Sequence, residues 1–140
     1  MDRIPDEERL YRFCKPDEII RLPDGTWRVS SGCFRTTGYT VSVNRESVWG
    51  LATHIGLTPI GWGLCSLTAG QLRERGLPHC IVQQGLDLDV EPAPIDDDPL
   101  LGGPNAAHAS FTRELVTNEP KRAAKLASRS MHLIPTSTLR

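Results

Sequence analysis

The sequence lacks an apolar run long enough to cross a bilayer, which takes roughly 18–20 residues. Its opening segment, MDRIPDEERLYRF, is charged and has no apolar stretch of the kind that a signal peptide requires. We therefore expect a cytoplasmic protein that does not associate with membranes.

The common catalytic signatures are also missing. The chain contains no G-x-S-x-G elbow, no P-loop and no H-E-x-x-H zinc motif. Their absence removes the enzyme classes that are easiest to recognise, and it leaves open whether the protein is an enzyme.

Cysteine is scarce and poorly spaced for binding a metal. The four cysteines are Cys14, Cys33, Cys65 and Cys80, and no two of them have C-x-x-C spacing. Zinc sites usually draw ligands from close local pairs, and disulfides are rare in cytoplasmic proteins. We therefore predict no metal, no cofactor and no disulfide, with the cysteines packing as small apolar side chains. A nucleophilic Cys33 near Arg35 is the less favoured alternative.

The chain as a whole has no excess of one charge. It carries 16 Lys+Arg and 17 Asp+Glu residues, a formal net charge of −1, so its composition has no nucleic-acid signature. The 140 residues are 39% hydrophobic and 24% charged, which is typical of one globular domain. We expect the domain to span residues 1–134, and residues 135–140 to form a tail.

Hydrophobic patterning predicts an α+β fold, with a mainly antiparallel sheet of about five or six strands and about three short helices. Strands are predicted at 9–14, 26–30, 39–44, 60–67, 79–84 and 106–115, and helices at 46–55, 68–76 and 119–133. Thr68 and Gln71 have the spacing of a capping box. In the first helix the pattern leaves His54 outside the apolar stripe, which consists of Val48, Leu51, Ala52 and Ile55.

Charge is segregated locally towards the end of the chain. Residues 84–105 contain six acidic residues, four prolines and no Lys or Arg, which predicts a long acidic loop. The last helix carries a basic face consisting of Lys121, Arg122, Lys125 and Arg129. We predict that this face interacts with another protein. The alternatives are a solvated helix face and a contact with the chain's own acidic loop.

The segment GGPNAAHASF places His108 where a strand begins, facing the same way as Ser110. Asn105 can bond its own backbone two residues on and so fix the start of that strand. We predict that His108 is partly exposed at the edge of a concave surface, where a near-neutral pKa suits a general base. The alternative is a half-buried structural histidine bonded to a backbone carbonyl.

The segments LYRFCKPDE, DGTWRVSSGCF, TVSVNRE and PNAAHAS together resemble a family of small, uncharacterised bacterial proteins with L-Y-R, S-S-x-x-F and N-x-A-H-A elements. Ala106 stands where that pattern has proline. The resemblance implies a bacterial cytosolic protein and brings no activity with it. A weaker resemblance is to ADP-ribosyltransferase-like domains, and it implies substrate contacts by Arg12 and Ser31, with Glu114 as the late glutamate.

Two functions follow as hypotheses. The first is a non-catalytic protein-interaction module, an accessory component of a bacterial multi-protein system. The alternative is a small enzyme acting on a nucleotide or dinucleotide, in which Arg12 binds phosphate, Ser31 orients the substrate, and His108 or Glu114 acts as the base. The hypotheses differ in whether Arg12 and His108 converge in one pocket.

Overall fold

The computed structural model describes residues 3–36, 38–75, 88–116 and 118–133. This part forms a six-stranded antiparallel sheet, two two-stranded sheets and three α-helices, which confirms the predicted α+β class. The strands are β1 Arg9–Cys14, β2 Ile19–Arg21, β3 Trp27–Val29, β4 Ser42–Arg45, β5 Gly63–Thr68, β6 Val90–Pro92, β7 Ile95–Asp98, β8 Gly103–Asn105, β9 His108–Phe111 and β10 His132–Leu133. The helices are α1 Leu51–Leu57, α2 Ala69–Arg75 and α3 Glu119–Ala127, with 3-10 turns at Pro16–Glu18, Ser31–Phe34 and Ser128–Ser130.

The main sheet has the order β10-β5-β1-β4-β9-β6, so β1 lies inside it, between β5 and β4. One face of the sheet, here called the core face, carries Leu10, Leu67 and Phe111 and packs into the hydrophobic core. The opposite face, here called the outer face, carries Tyr11 and its cross-strand neighbours. Because side chains alternate along a strand, every residue of β1 is assigned to one face or the other.

Helix α3 closes the core face. Its predicted apolar residues are all buried in the core: Ala123, Leu126 and Ala127. The helix begins at Glu119, which is fully buried, and the Arg113 guanidinium donates to both carboxylate oxygens of Glu119 at 2.7 Å. The helix ends at Ala127, earlier than predicted, because the chain tightens into a 3-10 turn before β10.

Helix α2 begins as its sequence predicted. The Thr68 amide donates to Gln71 Oε1 at 2.8 Å, and the Gln71 amide donates to Thr68 Oγ1 at 3.1 Å. These reciprocal bonds satisfy two backbone donors that a helix start otherwise leaves open. The predicted end at Gly76 and the predicted strand 79–84 lie outside the described residues.

Helix α1 differs from its prediction in both position and orientation. It begins at Leu51, not at 46, and His54 is its buried residue while Leu51 and Ile55 are exposed. The predicted apolar stripe was therefore wrong, because the helix packs on the outer face through the His54 ring. That ring lies 4.4 Å from the Tyr11 ring, measured between centroids.

The expectation of one continuous acidic loop over 84–105 is also wrong for its described part, which contains β6, β7 and β8. The acidic side chains Glu91, Asp96 and Asp97 are exposed while Val90 is buried, so the charges line the solvent side of paired strands. Strand β6 pairs with β9, and β7 pairs with β8. The predicted tail lies outside the described residues. Among the described helices, none has the length and apolarity needed to cross a membrane.

Candidate functional site

Strand register aligns a row of polar side chains across the outer face. Tyr11 of β1 lies opposite Ser66 of β5 and Asn44 of β4, and Asn44 lies opposite His108 of β9. Residues that face one another across antiparallel strands share a face of the sheet. The row therefore brings His108 beside Asn44 and Tyr11 although the three are far apart in sequence.

His108 begins β9 and is partly exposed, as predicted. Its Nδ1 lies 2.7 Å from the carbonyl oxygen of Ala93. A carbonyl only accepts, so Nδ1 carries the proton and Nε2 of the neutral ring has a free lone pair. This geometry suits both the general-base hypothesis and the structural alternative, which now differ only in whether Nε2 meets a ligand.

Asn105 organises the residues around the row. The Ala107 amide donates to Asn105 Oδ1 at 3.0 Å, which is the predicted bond to the backbone two residues on. Asn105 Nδ2 donates to Asn44 Oδ1 and to Asp98 Oδ2, each at 2.9 Å. With its oxygen held by Asn105, Asn44 has its Nδ2 donors left to offer a ligand.

A cavity of about 500 Å³ lies over this row and is here called the histidine groove. Its walls include His108, Asn44 and three aromatic side chains: Tyr11, Phe13 and Trp62. Lys15 and Arg35 supply positive charge, and Glu18 and Asp98 supply carboxyl groups. Burial raises the pKa of Glu18, although the bond from the Lys15 amide opposes the shift. The groove thus combines flat apolar surfaces with both signs of charge.

Arg12 also borders the histidine groove, but its side chain belongs to the core face. Its Nε donates to the Cys33 carbonyl and its Nη1 to the Ser42 carbonyl, both at 2.7 Å, and its guanidinium lies 5.6 Å from the centroid of the Phe34 ring. The Arg12 side chain therefore links the backbone at Cys33 to the backbone at Ser42. Arg12 and His108 leave the sheet from opposite faces, because Arg12 is adjacent to Tyr11 in β1 and Tyr11 is on the face of His108.

The other two residues predicted for catalysis lie elsewhere. Ser31 begins the 3-10 turn at Ser31–Phe34, and its Oγ accepts from Arg35 Nε at 3.4 Å. Glu114 accepts a bond from the Gly38 amide at 3.0 Å. Neither side chain lines the histidine groove. Of the predicted set, Arg12 and His108 both border the histidine groove, whereas Ser31 and Glu114 lie outside it. The four residues therefore do not form one site.

A second and larger cavity of about 700 Å³, here called the basic groove, lies between α3 and the β2–β3 hairpin. Four cationic side chains line it: Arg28, Lys121, Arg122 and Lys125. Ser30, Ser31 and Asn118 add polar groups, and no carboxylate among the described residues lines the cavity. Arg122 Nε is buried and has no hydrogen-bond acceptor within that part of the chain. Arg129, the remaining member of the predicted basic face, does not line the groove.

Three cysteines meet in the core, which the sequence analysis missed. Cys14 Sγ lies 3.2 Å from Cys65 Sγ and 3.5 Å from Cys33 Sγ. Hydrogen bonds from the thiols of Cys14 and Cys65, with help from the nearby Arg12 guanidinium, lower the pKa of Cys33. The same contacts raise the pKa of the other two thiols. Alternation places Cys14 on one face of β1, but the partner strand that carries Cys65 could not be read from the sequence.

Comparison of the chain with protein-family models, with curated proteins and with solved structures finds no match.

Proposed function

We propose that the protein is a non-catalytic binding module and that its basic groove holds an acidic segment of a partner protein. The observation that carries the proposal is the composition of the groove: four cations line a cavity of about 700 Å³ that no carboxylate of the described residues enters. Three of these cations belong to the face that the sequence predicted for interaction: Lys121, Arg122 and Lys125.

Electrostatics favours an anionic guest in such a groove. Like charges held close together repel one another, and low-dielectric walls strengthen the field that they produce. Carboxylates of a guest would relieve this repulsion, and one of them would supply the acceptor that Arg122 Nε lacks within the described residues. Charge complementarity of this kind mainly sets the orientation of a partner and its rate of association.

The rest of the lining favours a polypeptide over a nucleotide. Ile20, Val29 and Ala124 give the groove an apolar strip, and no aromatic ring of the described chain lines it. Nucleotide bases usually stack on aromatic side chains, whereas a peptide with alternating acidic and apolar residues needs both cations and aliphatic surface. The proposed guest is therefore an extended acidic segment.

Reversing two charges of the groove tests this proposal. We expect the double substitution Lys121→Glu with Lys125→Glu to weaken binding of a labelled peptide of alternating Glu and Leu by about tenfold or more, equivalent to about 1.4 kcal/mol. Fluorescence anisotropy at low ionic strength gives the affinity, and added salt should weaken the wild-type complex. The control is Arg129→Glu, a single charge reversal on an exposed residue outside the groove, and it is compared with Lys121→Glu alone as well as with the double variant.

Two results would contradict the acidic-segment proposal. One is equal loss of affinity in the Arg129→Glu control, which would indicate a general charge effect and no groove. The other is equal binding of a peptide in which Gln replaces every Glu, because the carboxylates would then be irrelevant.

A second candidate function rests on the histidine groove. We infer that this groove can take a small nucleotide-class molecule, with the base against Trp62, the phosphate near Lys15 and Arg35, and His108 Nε2 accepting a proton or hydrogen bond. In this second candidate function Arg12 does not bind the phosphate, because its guanidinium donates to two backbone carbonyls. The position of the free Nε2 inside a cavity with aromatic walls is what favours it.

Substituting His108 separates a ligand contact from a structural role. We expect His108→Ala to abolish or weaken by about tenfold any binding found in a nucleotide panel, while the free energy of unfolding falls by no more than about 1 kcal/mol. Calorimetry and urea unfolding measure the two quantities. His132→Ala, at an exposed position outside the groove, is the control. A loss of several kcal/mol with unchanged binding would make His108 a structural residue.

A further inference from the structure

Cys14, Cys33 and Cys65 come from three separate elements and point at one another. Cys14 ends β1, Cys65 lies within β5, and Cys33 lies in the 3-10 turn Ser31–Phe34. All three are fully buried, and their sulfurs lie within 4.8 Å of one another. Packing as apolar side chains requires burial, but it does not require three sulfurs to face a common centre.

The spacing of the sulfurs fits a shared ion. Thiolates bound at about 2.3 Å in trigonal or tetrahedral geometry lie roughly 3.8–4.0 Å apart. The Cys14 sulfur lies 3.2 and 3.5 Å from the other two, and all three sulfurs lie within 4.8 Å of one another. Binding one ion would therefore change these separations by less than about 1 Å. Rotation about the Cα–Cβ bonds of three cysteines can supply such a shift without moving a strand.

The number and type of ligands select the ion. In the described part of the chain no histidine or carboxylate joins the three sulfurs, so the donor set is entirely soft and has three members. Soft thiolate ligands favour copper(I), zinc and iron–sulfur clusters. Structural zinc and the common iron–sulfur clusters take four protein ligands, so a set of three thiolates favours copper(I). The surroundings are dry and apolar, because the cluster belongs to the hydrophobic core.

The surroundings also provide a counter-charge. One copper(I) ion with three thiolates has a net charge of −2, which a purely apolar core would not tolerate. Arg12 donates to the backbone carbonyl of Cys33 at 2.7 Å, and its guanidinium lies over the Phe34 ring beside the cluster. The residue that the sequence suggested for phosphate is thus placed to offset the charge of this site.

We propose that Cys14, Cys33 and Cys65 form a three-coordinate thiolate site for one copper(I) ion. On binding, three S–H bonds break, three Cu–S bonds form, and the three protons pass to solvent, with no change of oxidation state. Because the sulfurs are buried, the ion enters while the fold opens or forms, and loading is therefore performed during refolding.

The test is an anaerobic titration in which the reduced full-length chain is refolded with increasing amounts of copper(I) held by a competing chelator. We expect one equivalent to bind, with a sulfur-to-copper charge-transfer band in the ultraviolet. The substitutions Cys14→Ser, Cys33→Ser and Cys65→Ser should each remove this one-equivalent step, and Cys80→Ser should retain it. Binding that survives in the triple Ser variant, or that disappears in Cys80→Ser, would overturn the three-sulfur assignment.

A second measurement needs no variant and so does not depend on whether the Ser variants fold. X-ray absorption of the wild-type copper complex should show three sulfur neighbours and no nitrogen or oxygen neighbour. Circular dichroism of the same sample checks that the fold is intact. A wild-type chain that refolds in the presence of copper(I) and binds none, or that holds the ion through nitrogen or oxygen, would overturn the proposal.

Discussion

Replacing Glu119 with alanine is expected to lower the free energy of unfolding by about 3–5 kcal/mol, the usual cost of breaking a buried ion pair from one side. Glu119 is fully buried at the start of α3, and its two carboxylate oxygens accept from Arg113 Nη1 and Nη2 at 2.7 Å. The Val116 amide also donates to Glu119 Oε1, at 2.9 Å. The substitution removes all three of these acceptor contacts at once and leaves a cavity under the helix.

Urea unfolding measures the effect, and Glu114→Gln provides the comparison. The Glu114 carboxylate is partly exposed and accepts from the Gly38 amide at 3.0 Å, so its loss should cost no more than about 1 kcal/mol. The Glu119 substitution should therefore be clearly the more damaging of the two. Equal effects at both positions would mean that the Arg113–Glu119 pair does not anchor α3.

Acidification from about pH 7.5 to about pH 5 is expected to lower stability through His54 alone, by at most about 2 kcal/mol, the effect of one proton that only the unfolded chain binds. His54 is fully buried, its Nδ1 lies 3.0 Å from the Gly50 carbonyl, and its Nε2 has no partner in the described chain. Burial lowers the pKa of His54 below its ordinary value of 6.5, although bonds to the Gly50 and Trp49 backbone and the charge of Glu46 oppose the shift. Because the folded pKa lies below the unfolded one, the unfolded chain binds more protons below pH 6.5, and stability falls as the pH drops from there.

Other groups with a shifted pKa affect the pH dependence differently from His54. Burial and the hydrogen bond to Glu46 raise the pKa of Tyr11 to about 12, so its ring stays neutral throughout. Burial alone would raise the pKa of Glu8, but bonds from Arg45 and Ser47 hold it below 4.5. The stabilisation that the Glu8 carboxylate gives the fold is therefore lost only when the pH falls below that range. The pKa of Glu18 is raised in the folded chain, so its carboxyl binds a proton more readily there than in the unfolded chain. Acidification therefore raises stability through Glu18, whereas it lowers stability through His54.

The difference between wild type and His54→Phe isolates the His54 contribution. Phenylalanine fills the ring space against Tyr11 and has nothing to protonate, so its stability should not show the His54 share of the acid loss. Urea unfolding at several pH values gives both curves, and His132→Ala, at an exposed histidine, should follow the wild type. Parallel curves for wild type and His54→Phe would show that His54 does not titrate differently in the two states.

Features set by neighbouring residues could be predicted from the sequence. The capping pair Thr68 and Gln71 and the bond between Asn105 and the Ala107 amide each span two or three residues, so local geometry determines them. The start of β9 at His108 followed from the same kind of signal. Local signals did not indicate which other parts of the chain surround these residues in the folded protein.

Features set by strand pairing could not be predicted. No sequence motif pairs Arg12 with Cys65 across β1 and β5, yet that register places Arg12 on the core face and brings three cysteines together. Likewise, the charge pattern of 84–105 is compatible with a loop or with exposed edges of paired strands, and only the pairing of β6 with β9 decides between them. The sequence thus indicated individual candidate residues, such as His108, but not which of them lie together in the folded chain.

The order of strands in the main sheet has a consequence for how the chain folds. The central strand β1 pairs along its whole length with β5, and β5 in turn pairs with β10 near the end of the described chain. Few of these pairings join neighbours in sequence, so large loops must close before the sheet gains much stabilising contact. Domains dominated by such distant pairings fold on the scale of roughly milliseconds to seconds, slower than helical bundles of the same size.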